Sequence, residues 1–322
     1  MSHMTNPLAT PEQLFQRRSF GALPLELQDA IFFAAQCLTQ AAGILLQLPQ
    51  SITAQANVLL ARYWLVEPLM AHEFSDVSAA AMYLTAKLSA SPRSPRDVCN
   101  VYAYLVSPAS TFFHPLHQPL AAAAAENNPP KYCLSESQYQ SFHARLLAIE
   151  ARVFYALSFN THVALPHPLA VTYLQALDFL NMPKETIAKR ALAYLNAAVL
   201  SPQMLYCTSQ PNALAVAAIY NAARDVGAKM PECEWWEVFD VDREELGFLV
   251  VGMRSIEGWG RKIRGEEEPI KGWKGKGMLT RRMVQEELRR RGIEEVGEEG
   301  DDVEADMARR LDERMAELEG GS

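Results

Sequence analysis

"AAMYLTAK" occupies residues 80–87 and "AAIYNAAR" occupies residues 217–224. The octets carry small residues, a tyrosine and a terminal cation in register, with 137 positions separating Lys87 from Arg224. Around the first stand Ala79, Ala80, Ala81 and Ala86, and around the second Ala213, Ala215, Ala217, Ala218, Ala222 and Ala223. Small side chains on every face let neighbouring helices approach closely, and a helix apolar all round is one that other helices surround. Each octet therefore predicts the central helix of a bundle. A repeated octet predicts two bundles in tandem.

The flanking sequence supports an all-α reading. Between Leu23 and Leu48, Ile31, Ala34, Ala35, Leu38, Ala42, Leu45 and Leu46 recur at helical spacing, and Pro49 ends the pattern. Ser51 is the expected N-cap of the next helix, whose stripe of Ile52, Ala56, Leu59, Leu60, Tyr63 and Trp64 stops before Pro68. Asp76 is the expected cap of the first octet helix. "SPRD" at 94–97 is a capping box with proline at the first helical position. From about Tyr139 to Phe159 another helix carries Phe142, Leu146, Ile149, Val153 and Leu157 on one face.

After the connector "NTHVALPHPLA", helical patterning resumes with "LAVTYLQALDFL" and "KETIAKRALAYLNAAVL". The second octet then lies between Pro211 and Gly227, the favoured start and stop residues. "WWEVFDVDREELGFLVVGMRSI" closes the set. The predicted organisation is an N-terminal tail (1–22), a first bundle (23–159) with an inserted proline- and alanine-rich loop at about 107–138, a second bundle (160–257) and a charged C-terminal tail (258–322). In that tail residues 261–291 are rich in Lys and Arg, and residues 294–319 in Glu and Asp. Its apolar residues are too sparse to predict a core, so it is expected to be partly helical, largely solvated and dispensable for the fold. The opening "MSHM" resembles a vector-derived remnant and is set aside.

At 322 residues and 49% hydrophobic composition, the chain has enough apolar material for a real core. A net charge of −8 argues against a protein whose main task is coating nucleic acid, which relies on clustered cations. Cys37, Cys99, Cys133, Cys207 and Cys233 are scattered and odd in number, without a CxxC pair, which predicts a reducing compartment and no structural zinc. No apolar run is long enough to span a bilayer.

No nucleotide-binding, protein-kinase, zinc-protease or serine-hydrolase motif is present, so no catalytic residue and no cofactor are expected. His114 and His117 stand in the proline-rich loop without a cysteine or carboxylate at ligand spacing, and surface histidines are the plainer reading. Lys87 shares a helical line with Ala80, Tyr83 and Leu84, while Glu150 interrupts an apolar face of Leu146, Leu147, Val153, Phe154 and Leu157. A charge so placed is exposed, paired internally or held for a partner, because burying it alone costs several kcal/mol or more. The residues themselves leave these options open. The Ser-Pro steps at Ser91, Ser94, Ser107 and Ser201 fit proline-directed phosphorylation and, equally, loop and N-cap chemistry.

The stretch from about Leu25 to Ile256 resembles a cyclin, whose fold is two five-helix boxes in tandem with a small-residue helix at the centre of each. "QAAGILLQLPQ" (Gln40 to Gln50), "RDVCNVY" (Arg96 to Tyr102) and "HVALPHPLAVTYLQALDF" (His162 to Phe179) are most similar to cyclin L. The resemblance implies a nuclear regulatory subunit without enzymatic activity, which binds and activates a CDK11-like cyclin-dependent kinase in transcription and pre-mRNA splicing. It implies no membrane and no direct nucleic-acid contact by the boxes. It also implies that Lys87 and Glu150 are kinase-binding residues, hydrogen-bonding around the kinase αC helix. Arg224, in the second box, inherits no such role, and His162 and His167 fall in the connector as packing or hydrogen-bonding residues.

The sequence departs from the family after Lys87. Many cyclins carry acidic residues where "KLSASPRSPRD" has Ser89 and Ala90. The arginine-serine-rich tail frequent in cyclin L proteins is not in this sequence either. The alternatives are a transcriptional cyclin of the K, T or C type and, from another class, a TFIIB-like factor. The latter calls for a zinc ribbon and a basic second box, neither of which the sequence contains.

Overall fold

The computed structural model describes residues 4–19, 23–107, 110, 133–180, 185–264, 269–271, 273 and 278–293. After α1 (Pro11–Ser19), a first group comprises α2 (Leu25–Leu45), α3 (Gln50–Tyr63), α4 (Phe74–Leu88), α5 (Pro95–Val106) and α6 (Glu136–Ala156). A second comprises α7 (Pro166–Ala176), α8 (Glu185–Val199), the one-turn α9 (Leu205–Thr208), α10 (Pro211–Val226) and α11 (Arg243–Arg264); α12 (Arg281–Arg290) follows. The only strand-like pairing among the described residues is a single bridge between Ile270 and Trp273. The architecture is all-α, as the octets predict.

Both octets are hubs. α4 packs against α2, α3, α5 and α6, and α10 against α7, α8, α9 and α11. Ala79, Ala80, Ala81 and Ala86 are fully buried in one, and Ala215, Ala217, Ala218, Ala222 and Ala223 in the other. Close approach recurs between α2 and α3. A Cβ on Gly43 would lie 2.2 Å from Thr53 Oγ1 and 2.9 Å from Thr53 Cβ, so only glycine fits there. Inside the first bundle Ser78 Oγ lies 2.7 Å from both Thr39 Oγ1 and Tyr102 Oη, a chain of buried hydroxyls joining α2, α4 and α5.

Local starts and stops are partly as expected. Ser94 caps α5 by accepting the Asp97 N–H, and Gly227 ends α10 with φ of 71°. Two caps differ. α3 begins at Gln50 after Pro49, leaving Ser51 inside its first turn, and α4 begins at Phe74 after Glu73, leaving Asp76 inside. Pro49 and Glu73 already provide the extended backbone at these starts, and Asp76 is taken up by an ion pair with Arg145 at 3.2 Å. α6 starts at Glu136, three residues before the expected Tyr139, because Ser135 and Gln138 form a capping box.

The segments outside the two groups are more structured than composition suggests. Asn6 is buried, with its amide bonded to both the N–H and the C=O of Ala164 at 2.8 Å. Its side-chain oxygen also accepts from Arg62, its backbone pairs twice with the Gln210 amide, and Arg62 donates to the His162 carbonyl at 2.7 Å. One asparagine thus joins α3, the connector and the start of α10.

At the other end, the expectation of a core-free tail beyond Gly258 is wrong for its described part. Ile263, Ile270, Trp273, Leu279, Val284 and Leu288 are all buried in the main core. Trp259 packs edge-on against Phe33 of α2 with ring centroids 4.7 Å apart, and the Arg281 N–H donates to Glu73 at the start of α4. Sparse apolar residues cannot build a core, but set singly among charges they can complete one that exists. Residues 294–319, His114, His117 and most of the expected 107–138 insertion lie outside the described residues.

Candidate functional site

Lys87 sits in the last turn of α4, and Glu150 projects from the middle of α6. The crossing of the two helices brings Lys87 Nζ within 3.1 Å of Glu150 Oε1. The lysine side chain stays 54% exposed while the glutamate is 11% exposed, so the pair lies at the surface with its acidic end nearly covered. The hydrogen bond to Glu150 raises the Lys87 pKa, keeping the ammonium charged, and the Tyr83 ring lies under it at 5.5 Å. Both residues inferred from the sequence are therefore brought together. Free Lys87 donors and a covered carboxylate make a preset polar anchor, suited to a partner's hydrogen-bonding groups.

Exposed apolar residues stand near the pair in the sequence. Leu88 ends α4 at 58% exposure, and on α6 Leu147 is exposed three residues before Glu150, with Tyr155 exposed five residues after it. Phe159 follows at 58% exposure. Its ring meets Phe154 and Tyr155 edge-on, with centroids 4.9 and 5.3 Å away. The turn holding it is strained, because Ser158 and Phe159 both take positive φ, 49° and 62°, where bulky residues are rare. The Phe159 N–H bonds back to the Phe154 carbonyl at 3.0 Å and closes the helix end. Sequence patterning does not single out these four as surface contacts, because an apolar residue at helical spacing reads as core. The sequence pattern extends this helix to Phe159, whereas it ends at Ala156, which leaves Phe159 beyond the helix.

The second bundle answers its octet differently. Arg224, the counterpart of Lys87, is exposed, and the adjacent Asp225 is the ionic centre. Asp225 accepts from Tyr194 Oη at 2.7 Å and from Arg190 Nε at 2.9 Å, and also pairs with Arg254. Burial pushes its carboxyl up, but these donors outweigh it and hold it below its ordinary range. His167 Nε2 donates to Asn196 at 2.9 Å, and Asn196 also accepts from Gln50 of α3. His167 thus lies in α7 and bonds within the second bundle, while Asn196 reaches the first through Gln50. Among the described residues no cluster of His, Cys, Asp or Glu could hold a metal, and no helix is long and apolar enough to cross a membrane.

No protein-family model matches the chain. Cyclin-L2 of Mus musculus is 31% identical over 210 residues, covering 65% of this chain and 37% of that protein. Human cyclin-L1 is also 31% identical over 210 residues, so the chain spans little more than a third of the length of these relatives. An uncharacterized cyclin-L1-like protein of Schizosaccharomyces pombe is 31% identical over 231 residues, covering 70% of this chain and 84% of that one. Among solved structures, a chain of the yeast RNA polymerase II CTD kinase complex CTDK-1 matches with a TM-score of 0.59 at 13% identity, over 93% of this chain and 88% of that one. A chain of the Chaetomium thermophilum CAK complex bound to ATP-γ-S matches at 0.55 and 16% identity, over 91% and 92%. At such identities these two share the fold.

Proposed function

The chain belongs to the cyclin L family, and from that premise we propose that it is the regulatory subunit of a nuclear cyclin-dependent kinase of the CDK11 type, acting in transcription and pre-mRNA splicing. The observation that carries this reading is the Lys87–Glu150 pair, set at 3.1 Å at the surface, with exposed Leu88 next to Lys87 and exposed Leu147 three residues before Glu150. A partly desolvated charged pair with exposed apolar side chains nearby fits an interface centre. The yeast and Chaetomium neighbours come from kinase complexes, which supports a kinase as the occupant.

The mechanism follows from selective binding. A protein kinase is active when its β3 lysine pairs with the αC glutamate, and a preformed helical surface that binds the inward αC better than the outward one shifts the kinase to that state. Lys87 and Glu150 supply hydrogen bonds to the αC region, and the exposed apolar side chains nearby supply contact area. The hub helix α4 and the capped α6 hold this surface in place, so little ordering cost falls on binding. The subunit contributes binding free energy and no reacting group.

The test is reconstitution. Purified chain is mixed with catalytic subunits of the CDK11 type and of the kinases that pair with cyclins K, T and C, and phosphoryl transfer to a peptide is measured. The expected result is activation of the CDK11-type kinase above the others, and no transfer by the chain alone. Activation of another kinase instead would replace CDK11 by that partner, and activation of none would refute the subunit reading.

A further inference from the structure

We propose that Ser94 is a phosphoacceptor site for a proline-directed protein kinase, selected by the fold from the four Ser-Pro steps of the chain. "SPRSPR" at 91–96 holds two Ser-Pro-Arg repeats in the link between α4, which ends at Leu88, and α5, which begins at Pro95. Ser201 is 1% exposed and closed to any kinase. Ser107 Oγ is spent on the Tyr104 carbonyl at 2.7 Å. Ser91 is half-buried, with its N–H bonded to Ser89 Oγ. Ser94 Oγ is bonded too, accepting from the Asp97 N–H and donating to Asp97 Oδ2, but within one exposed turn. The residue is exposed, its backbone is already extended at φ −68° and ψ 150°, and Pro95 follows it. Protein kinases take their substrates as extended segments, so Ser94 is presented on backbone already extended and only the first turn of α5, from Pro95, has to open.

The reaction is ordinary phosphoryl transfer. Ser94 Oγ attacks the γ-phosphorus of ATP, the bond from that phosphorus to the β-phosphate oxygen breaks, ADP leaves, and the hydroxyl proton passes to the base of the modifying kinase. The product places a charge of about −1.5 to −2 where a hydroxyl stood. Ser94 Oγ now lies 2.7 Å from an Asp97 carboxylate oxygen, which the phosphate displaces by repulsion. The adjacent exposed cation is Arg96, at present bonded to Glu136 of α6 at 2.6 Å and stacked over Tyr139 at 4.2 Å. The phosphate, carrying more charge than Glu136, recruits Arg96 and weakens this link between α5 and α6, the helix that carries Glu150.

The experiment incubates the full chain with ATP and a purified proline-directed kinase, then localises phosphate by peptide mass spectrometry. Expected is near-stoichiometric phosphate on Ser94, at least tenfold less in Ser94→Ala and Pro95→Ala, and full incorporation in Ser94→Thr, which keeps both cap and acceptor. Circular dichroism verifies that each variant is folded. Phosphate placed chiefly on Ser91, or undiminished in Pro95→Ala, overturns the assignment, as does none on the wild-type chain. For the recruitment of Arg96, the second ionisation of phosphoserine 94, followed by phosphorus NMR, should fall below about 6 and rise again in Arg96→Ala. An unchanged ionisation in Arg96→Ala overturns that part.

Discussion

Gly43 illustrates how much one side chain's absence can settle. A Cβ at this position would overlap Thr53, whose branched side chain is stiff and cannot turn away freely, so α2 and α3 would have to separate. Gly43→Ala should therefore destabilise the protein by about 1–3 kcal/mol, the usual cost of overpacking, despite alanine's better helix propensity. Urea unfolding checks this, and an unchanged or higher midpoint would mean that the helices adjust. His167 gives a pH-dependent case. Burial lowers its pKa from the ordinary 6.5, outweighing the opposing effect of Asn196, so the unfolded chain takes up the proton first as pH falls. Stability should decline as pH drops below about 6.5 and level off beneath the folded-state pKa, a component absent in His167→Gln. Thermal melts of both proteins between pH 8 and 5 would show it. Residue roles were unevenly legible in the sequence. The alanines of the octets and the Ser94 cap could be read directly, since composition or local spacing determines them. Asn6 could not, because its partners Arg62, Ala164 and Gln210 are distant in the chain and only the fold assembles them.

Among the elements, the segment after α11 departs most from sequence expectation. Glu287 of α12 has a side chain only 2% exposed, and it accepts from Arg290 at 2.6 Å, from Arg291 at 2.7 Å and from the Lys271 N–H. The Arg290 hydrogen bonds, above all, bring its carboxyl down from 4.5 to about 2 against the opposing effect of burial. A carboxylate lowered in this way contributes stability above its unfolded pKa and loses it as pH falls through the folded value. The segment should therefore hold at pH 5 and loosen between about pH 4 and 2, with on the order of 3 kcal/mol at stake. Trp273 fluorescence followed through that range, with Glu287→Gln as the pH-insensitive comparison, measures it. Trp273→Ala should cost about 3–5 kcal/mol, and a chain ending at Arg264 should melt well below the full chain. Equal melting temperatures would restore the tail to dispensability. Helix type and order were readable where apolar spacing runs over several turns, but the one-turn α9 is too short to show a period and was not foreseen. The docking of 269–293 was not, because its burial depends on an existing surface and no periodicity records that.

For the whole molecule, the proposed kinase-binding face lies on the first bundle, with the second bundle tied to it through Asn6 and Asn196 and the C-terminal segment against α2 and α4. The fold was legible to the level of two helical hubs. The pairing of Lys87 with Glu150 was not, since the two residues are 63 positions apart and each could have faced elsewhere. Their contact also sharpens the prediction. An exposed ion pair contributes little to folding, about 0–1 kcal/mol, whereas truncating one member of a desolvated interfacial contact costs about 2–5 kcal/mol of binding. The most direct measurement is the affinity of the chain for a CDK11-type kinase by titration calorimetry, with wild type, Lys87→Ala and Glu150→Ala, alongside the melting temperature of each. Each substitution should weaken binding more than tenfold while shifting the melting temperature by only a few degrees. Wild-type affinity in variants that are badly destabilised would contradict this, making the pair a structural tie and moving the partner surface elsewhere.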